Sequence, residues 1–98
     1  MRRFRANTVK PTGWSVGGSL TVGDESIAFD PHWLERIRGE KRWQIPFHLI
    51  RAVDIRPARV GLVYAKVLVV SFQDGTVQLR VGHIEEAISL ISASLVTQ

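Results

Sequence analysis

Between Phe4 and Val81 the apolar residues of this 98-residue chain recur at every second position in short runs, interrupted once by a helical turn, and the final stretch, from Ile84 to Leu95, changes to helical spacing. Period two sends alternate side chains to opposite faces of an extended strand, so most of the chain must form sheet and one face of that sheet must be covered. Leu20 and Val22 alternate with Ser19 and Thr21, Gly23-Asp24-Glu25 turns the chain, and Ile27 and Phe29 resume the pattern, which predicts a hairpin. Phe4, Ala6 and Thr8 alternate with Arg5 and Asn7 and predict a short first strand, with residues 1–5 equally readable as a disordered tail. A further strand runs from Arg42 to Ile45 and stops at Pro46; the next, through Ile50, Val53 and Ile55, is expected to end before Pro57.

Lys66 to Phe72 is apolar on both faces in its middle, as suits a strand in a sheet interior, and Asp74-Gly75 is a strong hairpin signal leading into Val77, Leu79 and Val81. On that last strand Gln78 and Arg80 are expected to meet solvent. Two segments break the pattern. In DPHWLERIRG, Asp30 can cap a helical turn, Pro31 fits its first position and Gly39 suits a left-handed exit; Trp33 and Ile37 then share a face, with Leu34 beside them. At the C-terminus, Ile84, Ala87, Ile88, Ile91 and Leu95 form one apolar helical stripe that begins near His83, with Glu85 and Glu86 in the first turn.

These elements predict a mainly β (α+β) chain: a bent antiparallel sheet or small barrel of six to seven strands, capped by one C-terminal helix, as a single domain over residues 1–98. The expected core comprises Leu20, Val22, Ile27, Phe29, Ile45, Val53, Val67, Val69, Phe72, Val77 and Leu79 from the strands, with Ile84, Ile88 and Ile91 from the helix.

Composition narrows the function classes. With 45% hydrophobic and 22% charged residues, the chain matches ordinary globular domains. No run nears the roughly 18 apolar residues of a membrane span, and MRRFRAN lacks the apolar stretch of a secretion signal. The absence of cysteine rules out disulfides and thiolate metal sites and suits a cytoplasmic location. The formal charge of +4 is unevenly spread: Arg2, Arg3, Arg5 and Lys10 crowd the N-terminus, while Arg36, Arg38, Lys41 and Arg42 cluster in mid-chain. Such clusters favour anionic partners, although the N-terminal run also fits plain solvated surface charge.

No enzyme is expected. The histidines His32, His48 and His83 have no ligand spacing, Asp30 with His32 offers too few ligands for zinc, and neither a nucleophile elbow nor a P-loop is present. No metal or cofactor is therefore anticipated. The mid-chain mixture of Trp33, Arg36, Arg38, Lys41, Arg42 and Trp43 suits a membrane interface, where indoles settle at head-group level, or stacking on single-stranded bases. Trp33 and Trp43 also fit core or half-core positions, and the W-x-I-P alternation points Trp43 and Ile45 to one face. Trp14, between the first two strands, either anchors a ligand or packs to fix its loop.

The blocks ANTVK, GGSLTV, IAFDPH, WQIPFHLIRAVDI and LVVSFQDGTVQLRV, in that order between Phe4 and Leu95, resemble the successive signatures of GRAM domains, which share the pleckstrin-homology-like fold. The resemblance implies a seven-stranded bent sheet with a C-terminal helix and a non-catalytic role in membrane association or protein interaction. It also implies a departure. Phosphoinositide-binding relatives place a lysine late in the first strand and further cations on the second; here Lys10 fills the first position, but GGSLTVG supplies none, so no convergent inositol phosphate pocket is expected.

The resulting expectation is a cytoplasmic binding module for a protein partner or an anionic membrane surface, through Lys10, Trp14, Trp33, Arg36, Arg38, Lys41 and Arg42. Nucleic-acid binding on the same basic-aromatic surface is the alternative, and self-assembly through a sheet edge to a homo-oligomer is the third reading.

Overall fold

The computed structural model describes residues 1–60 and 62–97. Seven strands, β1 (Arg2–Val9), β2 (Ser15–Val22), β3 (Ser26–Pro31), β4 (Trp43–Pro46), β5 (Ile50–Val60), β6 (Val63–Phe72) and β7 (Gly75–Val81), form one antiparallel sheet in the order β4-β3-β2-β1-β7-β6-β5. Two meanders, β1 to β4 and β5 to β7, join where β1 pairs with β7, Ala6 lying opposite Val81 and Val9 opposite Gln78. A short helix, α1 (Trp33–Ile37), interrupts the first meander, and a single 3₁₀ turn, Phe47–Leu49, leads into the second. The C-terminal helix α2 (Ile84–Val96) packs on β2, β5, β6 and β7 and covers the inward face. This is the pleckstrin-homology-like architecture, a sheet curled into a half-barrel and capped by a helix.

Alternation explains the core. Phe4 and Ala6 of β1, Leu20 and Val22 of β2, Ile27 and Phe29 of β3, Ile45 of β4 and Leu79 of β7 all point inward, where Ile84, Ala87 and Ile91 of α2 meet them. On β6, buried on both faces as its composition predicts, Leu68 and Val70 turn to this core, whereas Val67 and Val69 are buried on the other face in a small cluster with Val9. Val67 and Val69 are thus buried as expected, and only the face is new: in a run apolar at every position, the sequence carries no phase. Val53, Phe72, Val77 and Ile88 pack against the core only partly buried.

Three expectations are corrected. Residues 2–5 are no tail; they form the first half of β1, with Phe4 only 3% exposed, because pairing with β2 from Arg2 opposite Val22 to Val9 opposite Ser15 holds the strand throughout. β5 does not end before Pro57 but runs through it, which an edge strand tolerates because its outer side needs no N–H donor. Asp30 and Pro31 are not cap and first turn of a helix. They are the end of β3, Asp30 lying opposite Ser19 and Pro31 opposite Gly18, and the His32 N–H continues the register by donating to the Gly17 carbonyl at 2.8 Å.

The cap is instead His32, whose Nδ1 accepts from the Leu34 N–H at 3.4 Å. The exit of α1 is as expected: Gly39 sits at φ +97°, and Gly39 N and Glu40 N donate to the carbonyls of Arg36 and Glu35, each at 3.0 Å, the paired bonds of a Schellman ending. Gly18 is required for a different reason. A Cβ there would lie 2.2 Å from the Asp30 carbonyl oxygen, so only glycine lets β2 and β3 approach this closely.

Candidate functional site

Antiparallel pairing brings the end of β1, the start of β2 and the end of β3 to one end of the sheet, and α1 follows directly from β3. An ion pair between Lys10 and Glu40 ties the β1–β2 turn to the segment after α1. Arg59 of β5 lines the same hollow as Pro11, Gly13 and Trp14, which brings the β5–β6 tip to this end as well. The resulting rim is apolar. Trp14 is 61% exposed, and α1 buries none of its residues: Trp33 is 62%, Leu34 48% and Ile37 75% exposed. Leu62, Val63 and Tyr64 at the hairpin tip are exposed too. Trp14 is therefore not a packed loop residue and Trp33 not a core one. Trp43 is half-buried and stacks on Phe29, ring centroids 5.6 Å apart.

Of the cations anticipated as a site, four at this rim besides Lys10 are brought near α1, and most are neutralised by neighbours. Arg36 and Arg42 share the Asp30 carboxylate at 3.5 and 2.9 Å, and Arg36 Nε also donates to the Pro31 carbonyl at 3.2 Å. Arg38 pairs with Glu35 at 3.2 Å. Lys41 alone among them has no carboxylate partner among the described residues. Asp30 thus serves two guanidinium groups, and His32 serves as a cap.

A second surface was not anticipated. On β1 the residues between the buried Phe4 and Ala6 point outward, so Arg3, Arg5 and Asn7 form a row; on β2 the facing outward positions are Thr21, Ser19 and Gly17. Large side chains stand over small ones, and an open trough of about 910 Å³ results, lined by Arg3, Arg5, Asn7, Gly17, Ser19 and, across from them, Asp30, His32 and Arg36. On the other side of β1, Arg80 of β7 lies opposite Asn7. Its signal was present in the sequence as R-x-R-x-N at period two, obscured because a basic N-terminus reads as a tail. Away from both surfaces on β5, the Arg56 guanidinium, hydrogen-bonded at 3.0 Å, and the Ile55 N–H hold the Asp54 carboxyl below the usual carboxylate range.

Among the described residues no helix is long and apolar enough to cross a membrane, and no group of three or more His, Cys, Asp or Glu side chains is placed to hold a metal. No protein-family model matches the chain, and no curated protein does. Among solved structures, the chain is similar to the C-terminal domain of an unknown protein from Leishmania infantum, with a TM-score of 0.74 and 14% identity over 98% of this chain and 83% of that one. A likeness at that identity concerns the fold alone.

Proposed function

We propose that the chain is a non-catalytic, GRAM-like binding module that associates peripherally with anionic membrane surfaces through α1 and the β1–β2 turn. The observation that carries this reading is α1 itself, a helix with no buried residue that holds Trp33, Leu34 and Ile37 in solvent among basic side chains. Indole and aliphatic groups gain free energy on entering the head-group region. Around them Lys10, Arg36, Arg38, Lys41 and Arg42 face Asp30, Glu35 and Glu40, five cations against three carboxylates, which leaves a positive surplus for an anionic leaflet.

Because most of these cations are already paired, the apolar contribution dominates, and salt weakens binding only moderately. The test is sedimentation with vesicles of neutral lipid and of neutral lipid plus phosphatidylserine. Binding that is stronger to the anionic vesicles and is weakened in Trp33→Ser/Ile37→Ser supports the reading. No sedimentation with either vesicle would overturn it in favour of a protein partner at the same rim.

A further inference from the structure

Two groups of cations stand apart. Arg2, Lys10, Arg36, Arg38, Arg42, Arg56 and Lys66 each lie within 4.0 Å of a carboxylate. Arg3, Arg5 and Arg80 have no such partner among the described residues, although all three are exposed and share the outward face of the β1–β7 pair. Their sheet neighbours offer no carboxylate: Arg3 lies opposite Thr21, Arg5 opposite Ser19 and Arg80 opposite Asn7. Arg3 and Arg5 are two positions apart on one strand, about 7 Å at the usual rise, and Arg5 and Arg80 are diagonal neighbours across the pair, about 7–8 Å. Like charges this close repel, and among the described residues no carboxylate lies within ion-pair distance of them.

We propose that this face, with the trough beside it, binds a multivalent phosphate anion of the diphosphate or triphosphate class, independently of the membrane reading of the rim. Guanidinium groups match phosphate oxygens with two parallel N–H donors each, and the spacing of Arg3, Arg5 and Arg80 suits an anion whose charge is spread over adjacent phosphates. The floor admits it. A Cβ on Gly17 would meet only Asn7 Oδ1, at 3.8 Å, and Ser19 and Asn7 add short polar groups. The one carboxylate in the lining, Asp30, is held by Arg36 and Arg42. Among the described residues no Trp, Tyr or Phe lines the trough, so it lacks the aromatic stacking platform of a single-stranded nucleic-acid site.

The test is a titration of the full chain with sodium triphosphate, followed by backbone amide shifts, with sodium chloride adjusted to hold ionic strength constant. The expected result is saturable binding, with shifts at Arg3 to Asn7, Gly17 to Ser19 and Arg80. Arg3→Gln/Arg5→Gln should weaken it at least tenfold, while Arg51→Gln/Arg56→Gln, which removes the same charge from exposed positions on β5, should change it less than twofold. Thermal melts of both variants establish that they are folded. No saturation, shifts confined to α1, or equal losses in the two variants would overturn the assignment. Vesicles carrying phosphatidic acid then identify the source of the phosphate: weaker binding by Arg3→Gln/Arg5→Gln than by the parent places a lipid headgroup in the trough, and equal binding restricts it to soluble phosphates.

Discussion

The two helices of this chain carry similar residues to opposite ends. In α2, Ile84, Ala87 and Ile91 form a buried stripe against the inward face of the sheet. In α1, Trp33, Leu34 and Ile37 remain about half exposed or more, and none of them joins the core. A helix of five residues is too short to be stable by propensity, and α1 has no packed stripe to hold it. Its ends hold it instead: strand β3 up to Pro31, the His32 cap, and the glycine exit at Gly39 that closes on the Lys10–Glu40 ion pair. Apolar side chains that the fold does not use for its own cohesion are available for contact with something else. That difference, more than the count of basic residues, marks the rim as a binding surface.

The comparison breaks most sharply with one substitution made in both helices. Ile91 is fully buried, and an unpaired carboxylate at that position costs several kcal/mol of a total stability of about 5–15 kcal/mol. Ile91→Asp should therefore abolish the cooperative unfolding transition in urea. Ile37→Asp should leave that transition within about 0.5 kcal/mol of the parent. If Ile37→Asp also unfolds the chain, α1 is structural and the rim reading fails. Next in size, Trp33→Ser/Ile37→Ser should lower partitioning onto phosphatidylserine vesicles by roughly tenfold or more, since partial burial of two such side chains is worth at least about 1.4 kcal/mol, with the melting temperature unchanged.

A smaller effect separates the ends of α1 from its faces. A methyl group on Gly39 would meet nothing within 4 Å, so Gly39→Ala tests the left-handed backbone alone. The expected cost is about 1 kcal/mol. It should appear as faster amide exchange from Leu34 to Glu40, with the exchange of β2 and β7 unaffected, because the core does not lean on α1.

Much of the architecture was legible because alternation survives wherever one face of a strand meets solvent. On β7, Val77, Leu79 and Val81 turn inward and Gln78 and Arg80 outward, as their order implies. β6 lacked that contrast: with Val67 to Val70 apolar throughout, only the packing of β5, β7 and α2 decides that Leu68 and Val70 face the main core. The boundary of α1 was misplaced because Asp-Pro serves equally to cap a helix or to end a strand. The deciding fact is that Ser19 and Gly18 of β2 lie opposite, 11 and 13 positions away in the chain.

The candidate site divides in the same way. Exposure of Trp14 and Trp33 was among the alternatives the sequence left open, but the pairing of Arg36 and Arg42 with Asp30, and of Lys10 with Glu40, depends on chain segments meeting in space. Conversely, the unpaired state of Arg3 and Arg5 follows from the small neutral residues of β2, which were visible in the sequence but had no meaning until the register with β1 was known.

The smallest expected effect would redraw that division of charges. Asp30 is the carboxylate shared by Arg36 and Arg42, it lines the trough, and its side chain is about one third exposed. Exposed ion pairs contribute about 0–1 kcal/mol, so Asp30→Asn should change stability by no more than about 1 kcal/mol and should leave the fold intact, the amide remaining able to accept from Arg42. What changes is availability. Two guanidinium groups lose their counter-charge, one beside α1 and one across the trough from Arg5, and the formal charge of the chain rises by one unit. Binding to phosphatidylserine vesicles should increase about two- to fivefold at low salt, in line with roughly 1 kcal/mol per cation near an anionic surface reduced by exposure, and the increase should vanish as salt shortens the screening length to about 3 Å at 1 M. The same substitution should strengthen triphosphate binding at the trough. If Asp30→Asn weakens both, the carboxylate is needed to hold Arg36 and Arg42 in place, and the paired cations, rather than the unpaired row on β1 and β7, are the ones that contact the anion.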